Sequence, residues 1–424
     1  MLNYKLTTLP NGLKLITAPL ENTKAVTVLF LIGVGSRYEN KNLNGISHFL
    51  EHLFFKGTKK RPKTLDIAKA LDAVGASYNA FTSEEHTGFF VRAASEHFEL
   101  ALDILFDMLY NSAFLSEEIE REKGVIVEEI NMYQDLPQSY ISEVAKQLFY
   151  GDQPLGWQTT GLKETVQKFS REDFVSYRDK FYTPENMIVA VAGGKNNVSW
   201  QEKIQEFFAK VGAKRKEEYL KIKENQTKPG LKMHFKKTDQ AHLILGFRTP
   251  ARSDKRRPVL KVLNNLFGET MSSRLFTEVR EKRGLAYYVS SEMADFQDTG
   301  IFGASAGVDI LRAKEAVKVI LEEFNKLKTK DISAEELKRA KENLKGRMYL
   351  GLEESFAVAE FLAEQQLFWG KIEHPEEIIS KYEKVTASDI KKFAKEYFVP
   401  KNLNLAMISP FKNTNEFEKI LERF

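Results

Sequence analysis

The sequence predicts an α+β fold in two similar halves, each a mainly antiparallel sheet with helices packed on one face. Three observations carry that expectation. Short β-branched apolar runs, such as Ala25 to Gly33 and Asn186 to Ala192, alternate with longer segments of helical period. The order of elements after residue 230 repeats in outline the order before residue 212, as a duplicated unit would. Between them, 212–230 is rich in Lys and Glu and poor in apolar residues, which reads as a linker. The expected domains are therefore 1–211 and 231–424, joined by 212–230. With 424 residues, 42% apolar and 29% charged, the chain has room for two ordinary globular cores.

Residues 3–8 and 13–18 read as strands joined by the turn Pro10-Asn11-Gly12. Ala25 to Gly33 reads as a central strand. From Leu43 to Thr58, apolar residues recur at helical spacing (Ile46, Phe49, Leu50, Leu53, Phe54), with Asn44 placed to cap the start and Gly57 to end the run. Thr64 can cap a helix to Val74, closed by Gly75. Residues 76–83 and 86–92 form a hairpin whose first strand, short and polar, has the character of a sheet edge. Helices over 95–110, 116–135, 138–150 and 170–180, a strand over 186–192 and a helix over 199–211 complete the first half. In the second half, 231–235 and 242–247 are strands, the latter matching Ala25 to Gly33. Pro258 to Gly268 stands where the Leu43 to Thr58 helix stood, with the same apolar period but no His and no inward Glu. Strands near 286–293 and 301–308 follow, then helices near 311–328, 334–350 and 353–368.

The chemistry gathers in His48-Phe49-Leu50-Glu51-His52. His48 and His52, four apart, project from one helix face, and Glu51 lies on nearly the same face. A single histidine on an apolar face is commonly a hydrogen-bonded core residue. Two at metal-ligand spacing with a carboxylate between them form the inverted zinc-protease arrangement H-x-x-E-H. Neutral imidazoles bind Zn²⁺, which brings the pKa of a bound water to about 7, and a carboxylate that is not a ligand can take the proton. The chain has no cysteine, so a third ligand is expected to be a carboxylate. On 116–135, Glu122 and Glu129 share a face two turns apart, close to the stripe Ile119, Ile126 and Ile130. Glu117, Glu118, Glu120 and Glu128 line the same helix, and periodicity alone does not choose among them.

Net charge of +4 is spread along the chain, without a basic stripe or a nucleic-acid motif. No apolar run reaches membrane-spanning length, and the chain opens directly on strand-like alternation. A cytoplasmic protein with no nucleic-acid or membrane partner is expected.

Four stretches together closely resemble the pitrilysin/insulysin (inverzincin) family of zinc peptidases. The likeness is to its short-subunit branch, with bacterial processing-type peptidases and the mitochondrial processing peptidase β subunit. They are His48 to His52, Asn79-Ala80-Phe81-Thr82-Ser83-Glu84-Glu85-His86-Thr87, Glu122 to Asn131, and Arg280-Glu281-Lys282-Arg283-Gly284-Leu285-Ala286-Tyr287. The resemblance runs over essentially the full chain and implies a pitrilysin-like (LuxS/processing-peptidase-like) fold and zinc-dependent endopeptidase activity, with one Zn²⁺ per chain. It makes His48 and His52 metal ligands, Glu51 the general base, and a downstream Glu the third ligand, with family spacing favouring Glu129 over Glu128. It gives Glu122 a supporting role at the site. Asn79, Ala80 and Phe81 resemble the edge strand that takes a peptide substrate by main-chain pairing. Arg280 and Tyr287 resemble the pair that grips the substrate near the scissile bond. Long members fuse two such halves. A single half implies a closed chamber made by two subunits, a homodimer or a heterodimer with a related chain. The alternative is a non-catalytic or half-enzyme subunit, although relatives of that kind usually lack the His and Glu residues that are all present here.

Overall fold

Two sheets organise the chain in the computed structural model, which describes residues 2–194, 199–212 and 217–424. The first sheet holds β1 (Lys5–Thr8), β2 (Lys14–Pro19), β3 (Ala25–Ile32), β4 (Ser77–Thr82), β5 (Thr87–Ala94) and β6 (Met187–Gly193). Its order is β1-β2-β6-β3-β5-β4, antiparallel except for the β2–β6 pair. The second holds β7 (Gly230–Phe235), β8 (Gln240–Thr249), β9 (Ala286–Asp295), β10 (Gly300–Asp309) and β11 (Leu403–Ser409), in the order β7-β11-β8-β10-β9. Here too one pair, β7–β11, is parallel. Without β1, the two sheets have the same order and the same single parallel pair, which is the duplication expected from the sequence.

The helices in chain order are α1 (Ile46–Phe54), α2 (Thr64–Asp72), α3 (Phe98–Asn111), α4 (Ser116–Asp135), α5 (Pro137–Tyr150), α6 (Lys163–Val166), α7 (Arg171–Phe181) and α8 (Trp200–Phe208). The second half adds α9 (Arg257–Asn264), α10 (Ala313–Thr329), α11 (Ala334–Gly351), α12 (Ser355–Trp369), α13 (Pro375–Glu383), α14 (Ala387–Tyr397) and α15 (Asn415–Glu422). The helix α9 follows β8 as α1 follows β3 and runs on into a π-helical turn, Asn265–Glu269. None of the described helices is long and apolar enough to cross a membrane.

The expected single helical layer on each sheet is incomplete. Along β3, Val26, Val28, Phe30 and Ile32 enter one core with residues of α1, α3, α4, α7 and α8, while Leu29 and Leu31 enter another with Val358, Ala359, Leu362 and Ala363 of α12. In the second sheet, Leu243, Leu245 and Phe247 join α9, α10 and α14, whereas Ile244, Ala406 and Ile408 meet Ile141, Val144, Ala145 and Phe149 of α5. Strand side chains alternate between faces, so a strand apolar at every position must be covered on both. One helix supplies the second cover in each case, and it comes from the other half of the sequence.

The two compact units are accordingly discontinuous. One comprises Met1–Asn131, Gln158–Leu220 and Tyr349–Pro375; the other comprises Met132–Trp157, Lys221–Met348 and Glu376–Phe424. The boundary at 220/221 lies inside the expected 212–230 linker, of which 213–216 fall outside the described residues. The contiguous division into 1–211 and 231–424 differs from this partition because α5 and α12 are exchanged between the sheets.

Candidate metal centre

Two helices bring the candidate residues together, and one core holds both. Ile46, Phe49, Leu50, Leu53 and Phe54 of α1 and Ile119, Ile126 and Ile130 of α4 are all buried in it. Packing of those stripes sets His48 and His52 of α1 against Glu122 and Glu129 of α4, with Glu122 itself buried along the α4 stripe. Ligand atoms of His48, His52 and Glu129 lie within 4.8 Å of one another. Glu129 reaches each imidazole Nε2 with a different oxygen, at 3.5 Å in both cases. Glu128 is exposed and instead accepts a hydrogen bond from Asn131 at 3.2 Å.

The donor set suits a zinc ion. His52 Nδ1 lies 2.9 Å from Oε1 of Glu122. A carboxylate only accepts, so the proton sits on Nδ1 and the Nε2 lone pair points to the Glu129 side. Nδ1 of His48 is buried without a hydrogen-bond partner among the described residues. Burial opposes charge on all three neighbours, and specific contacts outweigh it. The bonds from His52 and Lys56 hold the Glu122 carboxyl below the usual carboxylate range. The contact with His48 and the charge of His52 do the same for Glu129. The Glu122 bond and the charges of Glu129, Glu122 and Glu51 raise the His52 imidazole.

Glu51 stands beside this trio without belonging to it. Its Oε2 accepts a 2.6 Å hydrogen bond from the hydroxyl of Thr82 at the end of β4. The edge strand and the carboxylate are thus directly connected, a link the sequence pattern did not reveal. Among the described residues β4 is an edge, paired with β5 alone. Asn79 is exposed there, its side-chain oxygen accepting from the Ala80 N–H at 2.9 Å. Ala80 packs in the core shared with α1, whereas Phe81 points the other way, packing on the α12 side and over His86. Its partner across the hairpin, Gly88, leaves room for the ring: a Cβ there would lie 2.2 Å from the Phe81 side chain as it stands. Phe81 is half-buried, and its main chain pairs with Gly88 of β5, which leaves the Ala80 main chain facing the free edge.

The start of α1 differs from expectation. Asn44 is not the cap; Gly45 holds that position in a left-handed conformation (φ 98°). A Cβ on Gly45 would also meet Gly161 Cα and Thr160 O at 2.7 Å. The first amides of the helix are satisfied by Glu39, whose carboxylate accepts from Gly45 N (2.8 Å), Ser47 N (2.9 Å) and Asn44 Nδ2 (3.1 Å). Burial pushes its carboxyl up to about 7 against those bonds. Ser47 is further tied to Tyr177 of α7 at 2.8 Å. Glu39 was invisible to motif reading because it acts across an irregular loop. Lys56 had a signal, being four residues beyond His52 and eight beyond His48.

The remaining candidates lie in the other unit. Arg280 is exposed in a π-helical turn, Phe276–Glu281, with its guanidinium 5.0 Å from the centre of the Phe276 ring. Tyr287 is 64% exposed at the start of β9.

Comparison with known proteins places these features in a family. Residues 14–161 match the model described as insulinase (peptidase family M16), and 168–344 match the model described as the peptidase M16 inactive domain. The protein is 35% identical to one named uncharacterized zinc protease YmxG from Bacillus subtilis (strain 168), over 96% of this chain and 98% of that one. It is also 35% identical to the uncharacterized zinc protease SCO5738 of Streptomyces coelicolor, over 96% of this chain and 90% of that one. The crystal structure of a protease from Helicobacter pylori superposes with a TM-score of 0.91 at 27% identity, covering 97% of this chain and all of that one. With both halves matched and relatives of this identity aligned end to end, the chain belongs to peptidase family M16, the insulinase or pitrilysin family, in its short-subunit form.

Proposed function

We propose that the protein is a zinc-dependent endopeptidase acting on peptides or extended polypeptide segments. The observation that carries the reading is the convergence of His48, His52 and Glu129 beside a separate carboxylate, Glu51. The relatives' names as zinc proteases support it. His48, His52 and Glu129 would hold the ion, with Glu122 orienting His52. Zinc, when bound, acidifies a water and polarises a carbonyl. Glu51, aimed by Thr82, takes the proton of the attacking water and delivers it to the leaving amine. The edge of β4 at Asn79, Ala80 and Phe81 receives the peptide as an added strand, so main-chain bonds give affinity and sequence preference is loose. Arg280 grips the peptide, and Tyr287 donates a hydrogen bond to the developing oxyanion. The working form is a pair of subunits, a homodimer or a heterodimer with a related chain, enclosing the substrate. A non-catalytic role is the second reading. The description "inactive domain" favours it, but that match falls on the half without the metal motif.

Metal analysis and digestion of a quenched peptide by the purified chain test the proposal. The wild type is expected to carry about one zinc and to cleave. Glu51→Gln should keep its zinc and lose hydrolysis by about 10²–10⁴-fold, the usual contribution of a general base. Loss of zinc in that variant would overturn the role given to Glu51, and a wild type without metal or cleavage would overturn the enzyme.

A further inference from the structure

The Glu122 carboxylate is 2% exposed and, among the described residues, has a polar contact on each oxygen. Oε1 faces Nδ1 of His52 at 2.9 Å, and Oε2 faces the ammonium of Lys56 at 2.7 Å. Lys56 sits in the turn leaving α1, where its amide donates to the Leu53 carbonyl at 3.0 Å. Its side chain is 26% exposed, so the ammonium is drawn inward along the helix that carries both histidines. By charge alone this is a poor place for a lysine, since a cation beside a cation site repels the ion it is meant to admit. The geometry gives the reason for its presence. A buried carboxylate needs donors on both oxygens, and one left with a single partner turns or takes up a proton.

We propose that Lys56 is a positioning residue for the metal centre, acting through Glu122. It pins one oxygen of that carboxylate so that the other stays on Nδ1 of His52, which fixes the imidazole tautomer and aims Nε2 at the metal. The inference rests on the zinc reading above and deepens it by a residue outside the group formed by His48, His52 and Glu129. It makes a prediction opposite in sign to simple electrostatics. Deleting a positive charge near a cation site should tighten cation binding; deleting this one should loosen it.

Zinc affinity, measured by competition with a chromogenic chelator, is compared for wild type, Lys56→Met, Lys56→Arg, Glu122→Gln and the Lys56→Met/Glu122→Gln double variant. The ¹⁵N shifts of the His52 ring are recorded on the metal-free proteins. Lys56→Met should weaken zinc about tenfold or more, the range seen when an outer partner of a ligand is lost. Lys56→Arg, which keeps a charged donor for the carboxylate, should stay within about threefold of wild type and shows that the position tolerates substitution. In the Glu122→Gln background the Lys56→Met change should add nothing, because its route is already cut. The His52 shifts should report a fixed Nδ1–H tautomer in wild type and a mixture in Lys56→Met. Tighter or unchanged zinc binding in Lys56→Met, or an effect that persists without Glu122, would overturn the proposal. A wild type that binds no zinc would overturn the metal reading instead, and the tautomer comparison on the metal-free chain would still decide the role of Lys56.

Discussion

At the scale of single residues, the site turns on a register of one. Glu128 and Glu129 are adjacent carboxylates on the same helix, yet one is exposed and bonded to Asn131 while the other meets both imidazoles. The buried stripe Ile119, Ile126 and Ile130 fixes the rotation of α4, and that rotation selects Glu129. Glu129→Gln is expected to weaken zinc binding by more than about a hundredfold, beyond the loss typical of outer partners, with Glu128→Gln close to wild type. Chelator competition on the two variants checks it; equal effects would shift the assignment by one position. Thr82, Lys56 and Glu39 make their contacts at the same scale, respectively with Glu51, with the Glu122 carboxylate behind His52 and with the first amides of α1.

At the scale of elements, α12 is a helix of the second half built to cover the first sheet. The small residues Ala359 and Ala363 let it approach closely, and Ser355 meets Thr27 of β3 at 2.9 Å. It also carries Glu360, whose carboxyl is pushed up to about 7 by burial and by the charge of Glu364 one turn on. His86 of the first sheet stands 3.7 Å from Glu364. A carboxyl whose folded pKa lies above its unfolded value of 4.5 holds its proton more tightly when folded. Its contribution to stability is complete below that value and is lost as pH rises through about 7. Glu360→Gln should therefore match wild type near pH 4.5 and exceed it at pH 8 by about 1 kcal/mol. The full shift would convert to roughly 3 kcal/mol, reduced because the carboxyl is partly solvated. Urea midpoints of both proteins across this range measure the difference, and a gap that does not vary with pH would remove Glu360 as its source.

At the scale of the whole molecule, the exchange of α5 and α12 makes each half dependent on the other. A fragment of residues 1–211 lacks α12 and would leave Leu29, Leu31, Ile188 and Ala190 without their cover. Exposed apolar faces of that kind drive aggregation. The fragment is expected to be insoluble or non-cooperative alone and to fold when co-expressed with 212–424. A fragment that melts cooperatively by itself would show that α12 is dispensable. The proposed pairing of subunits is tested by complementation between a Glu51→Gln chain and an Arg280→Ala/Tyr287→Phe chain. If Arg280 and Tyr287 serve the partner's metal site, random mixing into symmetric dimers should restore about a quarter of wild-type activity. If they serve their own chain, no activity returns.

What the sequence determined by itself is whatever depends on short spacing. The i, i+4 histidines with Glu51 between them, the strand and helix periods, and the repeated order of elements are local, and the sheets bear out that order with matching topologies. The helix α4 starts at Ser116 as expected and ends at Asp135, about where its helical period was expected to stop. The unbroken apolar run of β3 already implied two covered faces, but nothing local could say that the second cover would come from more than three hundred residues away. The stretch after residue 368, including β11 inside the second sheet between β7 and β8, was not read from the sequence at all. Glu39 replaced Asn44 at the start of α1, and Thr82 reached Glu51, through contacts made only once the loops were packed. Tertiary structure decided these because burial rewards any partner that satisfies a carboxylate or covers an apolar face, however distant it is along the chain.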